Sequence, residues 1–291
     1  STELSTFYEI TPITTSVSAS NILSTTAGST KVIVSVSSHG LTNQTLVGIV
    51  SAGTTIGGNI LINPTTATEV LFQVSVIDNN SFEIDAGVTA AATSVATGGS
   101  ATVRPRYNAG NQSTIPQSGW GTGPWSGNFG WSTPFGSVSD PLRLWSADLW
   151  GTNILTVPSD GPLMYWDTNA GITDRVTIVT AAPSVNQIVR VASEARHVLL
   201  YGTHDISGNY SPLLIRWCSQ EDFTDWTPTA TNTAGDYPLP SRGSEIRAVN
   251  RVSDKTAILT DNDLYIQQYI GGNDVFGFTA VGEQCGVISR N

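Results

Sequence analysis

Lysine is almost missing. Lys31 and Lys255 are the only two in 291 residues, and charged residues of all kinds make up 12%, about half the usual share. Surface helices laced by Glu–Lys pairs are therefore not open to this chain. Cysteine is as scarce: Cys218 and Cys285 stand alone, too few for a disulfide framework. They could pair with each other, but isolated cysteines in a chain of this size are expected as buried free thiols. No run of about 18 apolar residues occurs, which excludes a helical membrane span. The start Ser1-Thr2-Glu3-Leu4 has neither the basic residues nor the apolar stretch of a secretory signal, so none is expected. The formal net charge of −10 argues against ordinary docking on nucleic acid, where cations must replace counterions. It argues equally against anionic membrane surfaces. A surface that repels DNA stays open.

In place of charge the chain has Ser, Thr, Asn and Gly. Ser, Thr and Asn compete with a helical backbone for its hydrogen bonds, and Gly loses entropy in a helix. With 39% hydrophobic residues a core is still within reach. Both facts point to an all-β protein of short strands.

Composition changes near residue 104. Residues 1–103 hold six acids, one base and no Trp, whereas residues 104–291 hold seventeen acids, twelve bases and all eight Trp. Such a shift predicts a domain boundary. In the first region Lys31–Ser37 places Val32, Val34 and Val36 on one face, broken only by Ile33. Glu69–Val76 places Val70, Phe72, Val74 and Val76 on one face and reads as a single strand. Asp78-Asn79-Asn80-Ser81 then reads as a hairpin turn before Phe82-Glu83-Ile84. Gly57-Gly58 and Asn63-Pro64 mark further turns. Residues 17–103 are expected to form a small antiparallel sandwich or barrel, with Ala86–Ser100 either a last weak strand or a loop. Residues 104–141 read as a linker rich in Gly and Trp.

After Pro141 a unit repeats. Ile154–Val157, Val198–Tyr201 and Ala257–Thr260 are apolar runs, each followed by a turn or loop and a second apolar run: Leu163–Asp167, Leu213–Trp217 and Leu264–Ile266. The first runs start 44 and then 59 residues apart, the spacing of propeller blades with inserted loops. Each unit reads as one hairpin of a four-stranded blade.

Several stretches resemble a family of structural proteins from the tails of short-tailed phages, of the nozzle or tail-hub type, sometimes called DNA stabilisation proteins. They are Leu144–Gly151 with Ile154-Leu155 and Pro162–Asp167, then Ile215–Asp222 and Asp225–Tyr237, and the closing Phe276–Ser289. Trp217–Tyr237 is the most specific, because many positions match in order. Tyr8–Pro12 is similar to the family's end-of-blade segment. The resemblance implies a β-propeller-like bladed domain with a small inserted β domain. It divides the chain into a blade end at 1–16, an insertion at 17–103, a linker at 104–141 and blades at 142–291. It also implies a ring of copies, taken as six, around the DNA channel of a tail. Adaptor and fibre proteins would be its neighbours, and DNA would pass without sequence-specific binding. Relatives extend further, so the native chain is expected to be longer, or another chain to close the ring of blades. The implied location is the virion tail, assembled in the bacterial cytoplasm.

Six acidic residues, Asp148, Asp160, Asp167, Asp205, Asp261 and Asp263, are candidates to face such a channel; each also fits a solvated turn. DNA carries one charge per about 1.7 Å of axis, so an acidic lumen would let it slide where a basic one would grip. Trp120, Trp125 and Trp131 in the linker are candidates for contact with another subunit or with glycan. Ser219–Trp226 resembles the Asp-box of sialidases, with Glu221 in place of its Asp, Phe223 of its Gly and Asp225 of its Thr. Ser219, Glu221, Asp225 and Trp226 are accordingly expected to build a blade turn, against an acid/base site or a metal loop. His39, His197 and His204 have no metal-ligand spacing and read as structural. No catalytic motif or phosphate loop is present, and no cofactor, metal or catalytic residue is expected. Two rivals stand beside the tail reading: a receptor- or glycan-binding module, and a sialidase-type propeller hydrolase drawing on Arg175, Arg190, Arg216 and Tyr210.

Overall fold

The computed structural model describes residues 10–42, 45–50, 55–60, 62, 70–108, 143–171, 174–192 and 194–288. Trp120, Trp125 and Trp131, with most of the Gly/Trp-rich linker and Asn63-Pro64, lie outside them. The chain divides into two compact units, residues 11–141 and residues 1–10 with 142–291. Both are all-β, and no α-helix occurs among the described residues.

The smaller unit has strands β1 (Val17–Ser20), β2 (Leu23–Thr25), β3 (Lys31–Ser35), β4 (Leu46–Val50), β5 (Leu71–Gln73), β6 (Ser75–Asp78), β7 (Ser81–Asp85), β8 (Ser94–Thr97) and β9 (Ser100–Pro105). They form two antiparallel sheets, β1-β9-β4-β5 and β6-β7-β3-β2-β8. Val47, Ile49, Ala101 and Val103 of one sheet share a core with Leu23, Val32, Val34, Phe82 and Ile84 of the other, so the unit is a sandwich. β3 alternates as its sequence predicts: Val32 and Val34 are sealed while Ile33 is exposed.

Two details differ from the sequence reading, and one that it left open is decided. Glu69–Val76 is not one strand, because the chain passes from one sheet to the other at buried Val74, whose N–H donates to Thr45 O at 2.9 Å. A residue closed in from both sheets satisfies the period-2 pattern as well as a strand interior does. Ser94–Thr97 is a strand, paired with β2. Residues 11–16 and 104–107 belong to the sandwich rather than to a blade end and a linker: Ile13 bridges Arg106, and Tyr107 N–H donates to Pro12 O at 2.9 Å.

The described residues of the larger unit form three four-stranded antiparallel meanders. Blade 1 is β10 (Trp145–Trp150), β11 (Asn153–Pro158), β12 (Met164–Trp166) and β13 (Thr177–Ile178). Blade 2 is β14 (Ile188–Ala192), β15 (His197–His204), β16 (Tyr210–Trp217) and β17 (Gly235–Pro238). Blade 3 is β18 (Ile246–Val252), β19 (Lys255–Thr260), β20 (Leu264–Tyr269) and β21 (Phe276–Gly282). The repeated hairpins of the sequence are the two central strands of each blade.

Two separate cores join the blades. Leu155 and Val157 of blade 1 pack with Val189, Val191, Val198 and Leu200 of blade 2. Ile188, Leu199, Tyr201 and Trp217 of blade 2 pack with Ile246, Val249, Ile258, Tyr265 and Phe276 of blade 3. β15 supplies both, Val198 and Leu200 to one side and Leu199 and Tyr201 to the other. A strand covered on both faces must be apolar at consecutive positions, which is why His197–Thr203 is buried without a break.

Candidate functional site: the seam of first strands and the blade loops

The first strands of the three blades lie side by side and are tied by side chains that reach main chain. Ser146 Oγ donates to Val189 O at 3.2 Å and accepts from Val189 N–H at 3.2 Å. Two residues on, Asp148 Oδ2 accepts from Val191 N–H at 2.8 Å. Arg190 spans all three blades: Nε donates to Val249 O at 3.0 Å, and one terminal nitrogen donates to Ser146 Oγ at 3.1 Å and to Val189 O at 2.8 Å. Arg251 returns the link, donating to Val191 O at 2.8 Å. The register rises together on all three strands, so they run in the same direction. Loops between second and third strands therefore gather at one end of the blades, and loops between third and fourth strands at the other. These contacts also satisfy the outer edge of β14, which would otherwise present unpaired backbone groups.

This topology distributes the six candidate acids. Asp160, Asp205, Asp261 and Asp263 lie in loops after second strands, at one end. Asp167 lies in the loop after β12, at the other end, and Asp148 is in the seam. None is idle. Asp160 accepts from Gln187 Nε2. Asp167 Oδ1 accepts from Asn169 N–H at 2.9 Å. Asp205 Oδ1 accepts from the N–H groups of Ser207 and Asn209, both at 2.8 Å, and the Asn209 contacts hold its pKa below the usual range. Asp261 is lowered chiefly by the Ser244 hydroxyl, 2.5 Å away. Asp263 is 4% exposed and is lowered chiefly by the Ser241 hydroxyl at 2.6 Å, then by Arg242 N–H at 2.9 Å. Asp167 and Asp205 close their own turns, as short acidic side chains do, whereas Asp160, Asp261 and Asp263 tie one loop to another.

Ser219–Trp226 forms the first part of the loop after β16. Ser219 N–H donates to Asp225 O at 2.8 Å, and Ser219 bridges Asp222. The carboxylate that organises the turn is Asp222, not Glu221: its Oδ1 accepts from the hydroxyl and N–H of Thr224 at 2.6 and 2.8 Å, and both lower its pKa. Glu221 adopts φ +58 and turns outward toward Arg196, 3.9 Å away. Asp225 accepts from Asn232 Nδ2 at 2.8 Å, and Trp226 is buried with its Nε1 donating to Phe223 O at 2.6 Å.

Phe223 carries a role that sequence comparison with the Asp-box conceals. It reaches back onto blade 1, stacking on Tyr165 at 5.0 Å and meeting Trp150 edge-on at 5.6 Å. Arg196 lies 4.6 Å over the Trp150 ring. A glycine there could not make this contact. Three more residues of Trp217–Tyr237 are spent on packing, although Thr227–Thr231 is exposed. Trp217 Nε1 donates to Thr233 O at 2.9 Å, Tyr237 stacks on Phe278 at 4.4 Å, and Gly235 lies so close under Trp217 that a Cβ would come within 2.5 Å of the indole.

Three of the residues a hydrolase would draw on are engaged within the blades. Arg190 is committed to the seam. Arg216 is buried and donates to His204 O at 3.1 Å and Trp226 O at 2.8 Å. Tyr210 accepts from Gln187 Nε2 at 2.9 Å. His39 Nδ1 accepts from Leu41 N–H at 3.0 Å, leaving Nε2 to donate to Asp78 O at 2.8 Å. His197 is 1% exposed beside Thr233 Oγ1 at 3.0 Å, and burial lowers its pKa, so it is neutral. His204 lies 3.2 Å from Ser184 Oγ. Among the described residues, no group of three His, Cys, Asp or Glu side chains could hold a metal ion, and no helix is long and apolar enough to cross a membrane.

The two cysteines are free, and only one is buried. Cys218 Sγ accepts from Val198 N–H at 3.0 Å, and burial pushes its thiol up to about 12. Cys285 is exposed, against the expectation of two buried thiols, because it follows β21 beyond the last shared core. A maleimide should label Cys285 alone in the native chain and both thiols after denaturation. Mass spectrometry of the labelled peptides checks this.

No family model matches the chain, and no curated protein matches it. Among solved structures it is similar to the Phage phi92 endosialidase, with 12% identity over 95% of this chain and a TM-score of 0.27. The chain spans 45% of the length of that protein. A likeness this loose carries no argument about fold or function.

Proposed function

We propose that the chain is a non-enzymatic structural component of a phage tail, part of a nozzle or hub ring through which DNA is held and then ejected. The observation that carries the reading is the ordered sequence resemblance over Trp217–Tyr237. Its support within the fold is the use made of that run: Trp217, Phe223, Trp226, Gly235 and Tyr237 are spent on packing blades. Residues given over to shape in this way suit a ring-forming part better than a reaction centre. On this reading several copies, taken as six, surround the DNA. Adaptor and fibre proteins flank them, and the acidic blade loops contribute a surface that does not grip phosphate.

Deletion of the gene from the phage or prophage that encodes it tests the role. The expected result is filled heads with incomplete tails that leak or fail to deliver DNA, with normal infectivity restored in trans. Normal particles from the deletion would overturn the proposal. So would turnover of a fluorogenic sialoside by the purified chain, which would favour a hydrolase.

A further inference from the structure

Blade 2 turns one sealed histidine toward blade 3. His197 opens β15 and shares the parity of Leu199 and Tyr201, whose face packs on blade 3. Its ring meets Phe276 edge-on at 5.4 Å and lies tilted 6.2 Å from Tyr269. Trp217 meets the same Phe276 edge-on at 5.3 Å, so two rings of blade 2 grip one ring of blade 3. Counting from the first hairpin of each blade, Asn153 and Lys255 hold the equivalent place. Asn153 is half-buried with its amide engaged by Tyr165 and Thr168, and Lys255 is exposed. His197 alone of the three is sealed, at 1% exposure.

The site suits a neutral imidazole. Nε2 lies 3.0 Å from Thr233 Oγ1, an oxygen that already accepts from Gln220 N–H at 2.8 Å. Nδ1 has no hydrogen bond of ordinary geometry among the described residues. An imidazolium carries an N–H donor on both nitrogens, and the second would be buried without a well-placed acceptor. The charged groups on the elements around the ring are spent elsewhere. In the loop after β16, Glu221 turns to Arg196 at 3.9 Å, Asp222 to Thr224 and Asp225 to Asn232. Arg251 of blade 3 donates to Val191 O at 2.8 Å. Glu194, in the turn before β15, and Asp274, before β21, are exposed. Burial holds the His197 pKa below the usual histidine value, and the Ala195 main chain, which favours the cation, does not offset it.

We propose that His197 is an acid-sensitive latch: on taking up a proton it releases blade 3 from blade 2 at Phe276 and Tyr269. Released, the imidazole is hydrated and titrates near its ordinary value of 6.5; closed, it titrates lower. The open form therefore binds more protons, and acid favours it. The closure that a neutral His197 supports is complete above about pH 6.5 and is lost as the pH falls below that value. Asp222, Asp261 and Asp263, all lowered from 3.8, stay charged as this happens. The other two histidines lie elsewhere: His39 in the sandwich, and His204 at the far end of β15 beside Ser184 and Tyr210. The latch does not depend on the tail assignment, since it follows from the surroundings of one side chain.

Amide exchange on the 291-residue chain, corrected for the intrinsic effect of pH on exchange, provides the test. From about pH 7.5 to about pH 5.5 the open fraction read from β20 and β21 should rise up to about tenfold. Protection along β11 in blade 1 should not change. His197→Gln keeps a polar side chain but takes up no proton, and it should abolish the response. His39→Gln combined with His204→Gln should leave the response in place. In the unaltered chain, the C2 proton of His197 should titrate in NMR spectra with a midpoint below the free value of about 6.5. Equal protection of β20 and β21 at the two pH values would overturn the proposal. So would an acid response that survives in folded His197→Gln, or a His197 midpoint at or above the free value. The first and last of these outcomes need no variant.

Discussion

Leu200→Ala is expected to cost about 2–5 kcal/mol of stability, the range for removing a sealed core side chain and leaving a cavity. Leu200 is 0% exposed and lies in the core between blades 1 and 2, with Leu155, Val157 and Val189. Strands on both sides hold those neighbours in place, so the site has little freedom to collapse. For a unit of this size each kcal/mol lowers the melting temperature by roughly 2–4 °C, and thermal unfolding reads it directly. The matched control is Thr156→Ala. Thr156 is the blade 1 equivalent of Leu200, is only half-buried, and its hydroxyl donates to Ser146 O at 3.0 Å. Its loss should cost about 1 kcal/mol. Equal effects at the two positions would mean that the inter-blade core is not where the stability lies.

Arg190→Met is the second large effect, expected at about 3 kcal/mol. Methionine keeps much of the stem but removes the guanidinium, and Val249 O and Val189 O each lose a charged donor. Leaving a buried acceptor unsatisfied costs roughly 1–3 kcal/mol. Arg190→Lys should recover little. A single ammonium cannot reach Ser146 in blade 1 and Val249 in blade 3 together, whereas the planar fork does. Amide exchange should distinguish this variant from Leu200→Ala: protection should fall along β14 and β18 first. Full rescue by lysine would show that charge alone, not the fork, holds the seam.

Much of the bladed fold was legible because its central strands carry apolar runs, most completely in β15, which is buried on both faces. Val198–Tyr201 and Ala257–Leu259 are apolar without interruption, and such runs stand out from their polar surroundings. The fourth strands of blades 1 and 2 were not legible. Thr177–Ile178 is two residues long, and Gly235–Pro238 begins with glycine and ends with proline. Only pairing with β12 and β16 makes them strands. In the sandwich, alternation identified β3 but could not separate β5 from β6, because Val74 at the crossing is as buried as a strand interior.

The polar contacts were harder still. The acids could be placed in turns, since Asp and Asn next to Gly and Ser imply them. That Asp222 rather than Glu221 would organise the loop depends on one methylene of reach and on a positive φ at Glu221. The seam left no periodic signal at all. Ser146, Asp148, Arg190 and Arg251 differ in type and sit at unequal spacings, and what unites them is a main chain from another blade.

The two inter-blade cores have no residue in common. Mechanically the unit is therefore two joints in series with blade 2 as the shared link, rather than one block. An outer blade can loosen while the far joint stays shut, as in repeat proteins whose stability is a sum over neighbours. Blade 2 has no such freedom. β15 faces both joints at once, so strain applied to either end of the unit is borne by the same eight residues, His197–His204.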